Sequence, residues 1–412
     1  MFFFRLFVCL SGLLTSAALL QAQPAAGQPW RFSFSRPGGL PVYVQARVQS
    51  GASPRIWFIS DADTIAAAQV QRRGDSLLLE MPLFETRIRL QQQANGRWQG
   101  VLLKGTSQGD QIWQAEAEEG AGTQLPDVPV APATNLSGRW AVQFQRADGS
   151  WRPAVAELQQ QGGRLTGTVL TPSGDYRFLE GRLSGRRLYL SAFDGAHIYA
   201  FEAQAVGDTA LAEGLFFAGT APGERFKARR QADAALPAVA GLAELKPGES
   251  RLNFRFPDLD SNLVGIADER FRGKVTIVQI MGSWCPNCMD ETKFLSEFYN
   301  QQATNRPVEI VSLAYELSTD FRRSAASLRK FQQRFGVRYP MLITGARSAD
   351  PDKAAKTLPQ LTDIKFFPTT IFIDKTGRVR KVHNGFYGPG APAYFEAYKQ
   401  EFFETLRQLQ AE

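Results

Sequence analysis

Cysteine is scarce in this 412-residue chain, with only Cys9, Cys285 and Cys288. So few exclude the disulfide framework that staples small extracellular domains. Histidine is scarcer still. His197 and His383 are the two, and neither has a second His or Cys nearby in sequence, which argues against a metal-ligand cluster. The formal net charge is +7, yet no long block of one sign occurs, which removes the tail-like signature of a nucleic-acid binder. The densest basic stretch, Phe321 to Arg338, carries Phe321, Leu328, Phe331 and Phe335 at near-helical spacing. It reads as an amphipathic helix with a solvated basic face. Long apolar runs are missing apart from Leu6 to Leu20, behind a single Arg5. That run is too short to span a bilayer comfortably and reads as a secretory leader over residues 1–22, cleaved near Ala22. Bulky Val8 argues against lipidation of Cys9, and so against a membrane-tethered form. The expectation is an exported, periplasmic protein retaining one cysteine pair, which in an oxidising compartment suggests redox traffic.

What is present divides into three parts. Residues 30–119 alternate in the manner of strands, as in Val42-Tyr43-Val44 and Ile56-Trp57-Phe58-Ile59, with turn residues between them. Residues 137–230 are again β-rich, with runs from Trp140 to Phe144, Tyr176 to Leu179 and Gly214 to Phe217, among others. Both read as all-β antiparallel barrel or sandwich modules. A faint echo links them: Gly74, Leu77, Leu79, Ile88 and Leu90 match Gly185, Leu188, Leu190, Tyr199 and Phe201 at one constant offset. His197 reads as a residue following a tight turn at Asp194-Gly195. Residues 231–250, rich in Ala and Pro, read as a linker. From residue 251 to 412 strands alternate with helices, which predicts an α/β domain with an antiparallel edge.

Within this last part the apolar run Val275 to Ile280 leads into Trp284-Cys285-Pro286-Asn287-Cys288. Leu295 and Tyr299 continue from Cys288 at helical spacing, so Cys285 falls where strand becomes helix. Pro286 suits the first helical turn, where a missing N–H costs nothing. Backbone N–H groups and the positive helix end then face the Cys285 sulfur, an environment that stabilises a thiolate nucleophile. Cys288, three residues on, can close a disulfide with it. A bare pair of this spacing could equally be half a zinc site, but no second pair exists. Asp290 and Glu291 suit the positive helix end as solvated carboxylates, and His383 reads as a strand-end surface residue.

Together with Phe367-Pro368-Thr369 before a strand hairpin, these motifs resemble the thioredoxin fold. More narrowly, residues 251–412 resemble the exported TlpA-type and ResA-type thiol–disulfide oxidoreductases that carry extra β-rich N-terminal domains. The resemblance implies a redox-active Cys285–Cys288 disulfide with no other cofactor and no metal. It implies a cis Pro368 beside the pair, with Phe367 and Thr369 offering main-chain groups to a docking peptide, and Trp284 and Pro286 beside them. The buried acid that thioredoxins keep six residues before the first cysteine is replaced here by Gln279. Glu316, following the strand Val308 to Ala314, is the expected substitute, by the place the resemblance gives to an active-site glutamate. The implied partners are protein or peptide thiols and disulfides, with a membrane electron donor and no nucleic acid. Two other readings stay open: a thiol peroxidase, although Gly282 stands where such enzymes place Thr, and a binding protein whose β modules carry the main role.

Overall fold

The computed structural model describes residues 27–36, 38–83, 85–106, 109–120, 130–238, 241–302 and 307–412. The leader and Cys9 lie outside the described residues. Nine antiparallel strands between Gln28 and Glu119 form one sheet, in which the first strand pairs with both the second and the ninth. The sheet stays open between the fourth strand, Asp63–Ala66, and the fifth, Gln69–Arg73. Strict alternation puts Trp30, Phe32, Phe34, Val42 and Val44 on the inner face.

From Gly138 to Arg230 a second antiparallel meander closes on itself. Strand Trp151–Gln161 pairs with Gly138–Gln145 on one side and Arg164–Thr171 on the other, and Gly138–Gln145 pairs back to Glu224–Arg230. Closure removes the exposed edges, leaving a barrel filled by Trp140, Phe144, Phe201, Phe216 and Phe226. Both units thus follow the same path, with first and last strands paired. The expected strand from Tyr176 is corrected: Arg177 adopts φ 55°, a left-handed conformation, and the strand begins only at Leu179.

The open sheet is not a free-standing module. Its apolar face is covered by Phe193, Ile198, Ala200 and Phe217 from the outside of the barrel. The Tyr189 hydroxyl donates to the Pro41 carbonyl at 3.0 Å across that seam. Residues expected as a linker are also pinned. Ala243 N–H donates to Asn384 Oδ1, and Leu245 bridges to Leu361.

The C-terminal domain has a five-stranded sheet with β1 (Val275–Met281), β2 (Val308–Ala314), β3 (Met341–Ile343), β4 (Thr369–Ile373) and β5 (Val379–Asn384), ordered β3-β2-β1-β4-β5. β1, β2 and β3 are parallel; β4 is antiparallel to β1, and β5, antiparallel to β4, again runs in the direction of β1. Helices α1 (Pro286–Gln301), α2 (Phe321–Phe335), α3 (Lys353–Thr357) and α4 (Pro392–Ala411) complete it. β1 and β2 are buried along their whole length, which is why they read as continuous apolar runs. α2 starts on an Asp320 cap and stops at Gly336, whose φ of 62° suits glycine. Its basic face is not simply solvated. Arg323 makes a two-pronged pair with Glu85 of the first sheet, and Arg329 reaches Asp260 and the Leu259 carbonyl. Among the described residues no helix is long and apolar enough to cross a membrane.

Candidate functional site

β1 delivers the chain to Gly282-Ser283-Trp284, and Cys285 caps α1 with Pro286 in the first turn. Cys288 N–H donates to Cys285 Sγ at 3.2 Å, and Cys285 Sγ–H donates to the Phe367 carbonyl at 3.3 Å. The Phe367–Pro368 bond is cis. Both cysteines carry free thiols, Cys285 at 4% exposure and Cys288 at 0%. Burial, with the hydrogen bond and charge of Cys285 and the charge of Glu291, pushes the Cys288 thiol well above its usual range. The two sulfurs are therefore distinct: one caps a helix beside a carbonyl, the other is buried behind it.

Trp284 Nε1–H donates to the Tyr315 carbonyl at 2.8 Å, and its ring meets Phe367 edge-on at 5.3 Å. A Cβ on Gly282 would lie 2.2 Å from Trp284 Nε1, so a larger residue there would expel the indole. Thr369 does not present its main chain to a partner as expected. It sits inside the sheet, paired with Ile280 and Asn384, while Gly385 N–H donates to the Pro368 carbonyl at 2.9 Å. Of the expected docking groups, Phe367 and Pro368 stay beside Cys285, with Trp284 and Pro286 flanking.

Glu316 folds back over the loop before the helix, accepting from Ser283 N–H at 2.8 Å and Ser283 Oγ–H at 2.6 Å. Burial lifts its pKa to about 7. The carboxylate whose charge reaches Cys288 is Glu291, read from sequence as solvated but 0% exposed. It is held by Gln279 Nε2–H at 2.8 Å, Thr370 Oγ1–H at 2.6 Å and Tyr398 O–H at 2.8 Å, and burial raises its pKa. The acid absent from strand position 279 thus arrives from one turn inside α1, with Gln279 tethering it. The spacing Cys288-to-Glu291, one helical turn on the sheet-facing side, is the signal that could have revealed it.

Asp290 is also not solvated. It pairs with Arg177 from the barrel, which donates to Asp63 of the first sheet at 2.9 Å as well. Burial, reinforced by Asp175 and Asp63, lifts Asp290 to about 6 in spite of Arg177. The same barrel loop presses on the motif itself. A Cβ on Gly174 would lie 1.7 Å from Asn287 Nδ2, and Phe386 N–H donates to the Ser173 carbonyl at 3.3 Å. His197 is brought to the site too. It lies beside Ser283 and Trp284 across a cavity of about 200 Å³, with Nδ1 2.9 Å from Asp194 Oδ2. His383 stays on β5, 3.4 Å from Glu401.

A thiol pair at a helix N-terminus, one sulfur capping and one buried, beside a cis-proline loop on this mixed sheet, defines a thioredoxin-like thiol–disulfide oxidoreductase domain. Residues 246–397 match the family model described as Redoxin. Among curated relatives, the thiol-disulfide oxidoreductase ResA of Halalkalibacterium halodurans is 24% identical over 162 residues, covering 39% of this chain and 78% of that protein. ResA of Geobacillus thermodenitrificans is 28% identical over 138 residues, 34% of this chain and 69% of that protein. A solved thiol-disulfide oxidoreductase from Bacteroides fragilis NCTC 9343 aligns at 15% identity over 36% of this chain and 99% of its own, with a TM-score of 0.28. The Redoxin match falls in the C-terminal part, behind the β-rich region.

Proposed function

We propose that this chain is an exported disulfide reductase acting on protein or peptide partners by exchange at Cys285 and Cys288. The observation that carries the reading is the Cys285 sulfur: it receives the Cys288 N–H at a helix N-terminus and touches the carbonyl preceding cis Pro368. As thiolate, Cys285 attacks a partner disulfide; one S–S bond breaks, a mixed disulfide forms and one partner thiolate leaves. Cys288 then gives its proton to Glu291 and attacks the Cys285 sulfur, which frees the second partner thiol and closes Cys285–Cys288. Two electrons pass to the partner. A carboxylate with a raised pKa is a better proton acceptor for a thiol than an ordinary one, which supports Glu291 in this role. Each turnover leaves the pair oxidised, so an electron donor must restore it; a membrane donor fits the leader-type run Leu6 to Leu20 and the export it implies.

The peroxidase alternative is disfavoured by the crowding at Gly282, where a threonine side chain would collide with Trp284. The test is a Cys288→Ser variant. It should trap a covalent partner complex that thiol reductant releases, while the wild type reduces insulin. A variant that traps nothing, in a protein whose wild type leaves insulin intact, overturns the reading.

A further inference from the structure

The shoulder of the redox pair, Ser283 and Trp284, forms one wall of the cavity that all three units enclose. The first sheet supplies Lys104 and Gln111, the barrel supplies His197, and the redox domain adds Glu316 and Arg323. Nearly every charge there is already answered. Arg323 donates through Nε and Nη2 to both oxygens of Glu85 at 2.8 Å. Glu316 is held by Ser283, and His197 by Asp194. Lys104 differs. Burial lowers its pKa, the one carboxylate acting on it is Asp194, and that group is committed to His197. Among the described residues no carboxylate forms an ion pair with it, and a half-buried ammonium without a paired anion favours any ligand that brings one. Cys285, at 4% exposure, is also approached from a surface that the β units crowd.

We propose that this cavity receives a carboxylate carried next to the reactive sulfur of the substrate, paired with Lys104, so that the β units select acid-bearing disulfides for Cys285. The proposal rests on the exchange reading given above. Such a carboxylate could belong to a small thiol acid or to an acidic side chain neighbouring a peptide cysteine; the chemistry recognised is the same.

The test uses the reduced full-length chain and two matched series of disulfide probes. The small series is 3,3′-dithiodipropionate, its neutral diamide, and cystamine. The peptide series is a disulfide-linked peptide with Glu beside Cys, and its Gln counterpart. Second-order oxidation rates are followed by mass spectrometry, with each probe's rate divided by its rate with free dithiothreitol to remove intrinsic reactivity. The acid should exceed the matched amide by about tenfold, the size of one charge-assisted contact. Cystamine should be slowest of its series. Lys104→Gln should bring the acid-to-amide ratio close to one, and Lys104→Arg should restore much of it, which separates charge recognition from misfolding. Preference confined to one series identifies the source of the carboxylate. Equal rates for acid and amide in both series, or a preference that survives Lys104→Gln, overturn the proposal while leaving the exchange reading in place. Failure of every probe to oxidise the pair overturns the exchange reading itself.

Discussion

Glu316 offers the sharpest quantitative test. Burial lifts its pKa from 4.5 to about 7, with the Glu85 charge adding to the rise and Ser283 opposing it. Between those pH values the folded protein holds a proton that the unfolded chain has released. The stability this contributes is therefore fully present below about pH 4.5 and is lost as pH rises through about 7. At 1.36 kcal/mol per tenfold difference in proton affinity, the loss is about 3 kcal/mol. Glu316→Gln removes the titration but keeps an acceptor for Ser283 N–H and can donate to Ser283 Oγ. The measurement is urea denaturation of reduced wild type and variant from pH 4.5 to 8. The difference between them should move by about 3 kcal/mol in the variant's favour across that range. Taking the difference cancels every group common to both proteins. A difference that stays constant with pH would refute the argument, since it would mean that Glu316 titrates alike in both states.

Glu291→Gln should slow resolution of the mixed disulfide by about a hundredfold, the range of a lost general base, so that the covalent intermediate builds up in quenched samples. Unchanged resolution would remove Glu291 from the proton path. Arg177→Met should cost about 3–5 kcal/mol at neutral pH, because Asp290 and Asp63 are left facing one another without their shared cation. The loss should shrink at pH 5, where Asp290, with its pKa near 6, takes up a proton. Equal losses at both pH values, read by guanidinium denaturation, would contradict the clamp.

The redox pair was legible because its chemistry is local. A strand of unbroken apolar residues, a cysteine at the helix cap and a proline in the first turn determine where the Cys285 sulfur sits, whatever packs around them. Period-two alternation likewise marked most strands of both β units. Glu291 was misread for an equally local reason. An acid in the first turns of a helix looks solvated until it is known which side of the helix meets the sheet. The partner of Glu316 was not legible because a strand-end residue can turn toward either neighbouring loop, and here Ser283 captures it.

Sequence alone therefore determined the cysteine pair and the strand–helix junction that holds it, since these depend on residues within one turn of each other. Tertiary structure alone decided which acid lies beneath the pair, that the open sheet shares a core with the barrel, and that Arg177, Lys104 and His197 converge on the site. Those residues lie 88 positions or more from Cys285 in the chain (285 − 197 for His197, the nearest). No periodicity spans such distances; only the closing of the barrel and its docking on α1 bring them together.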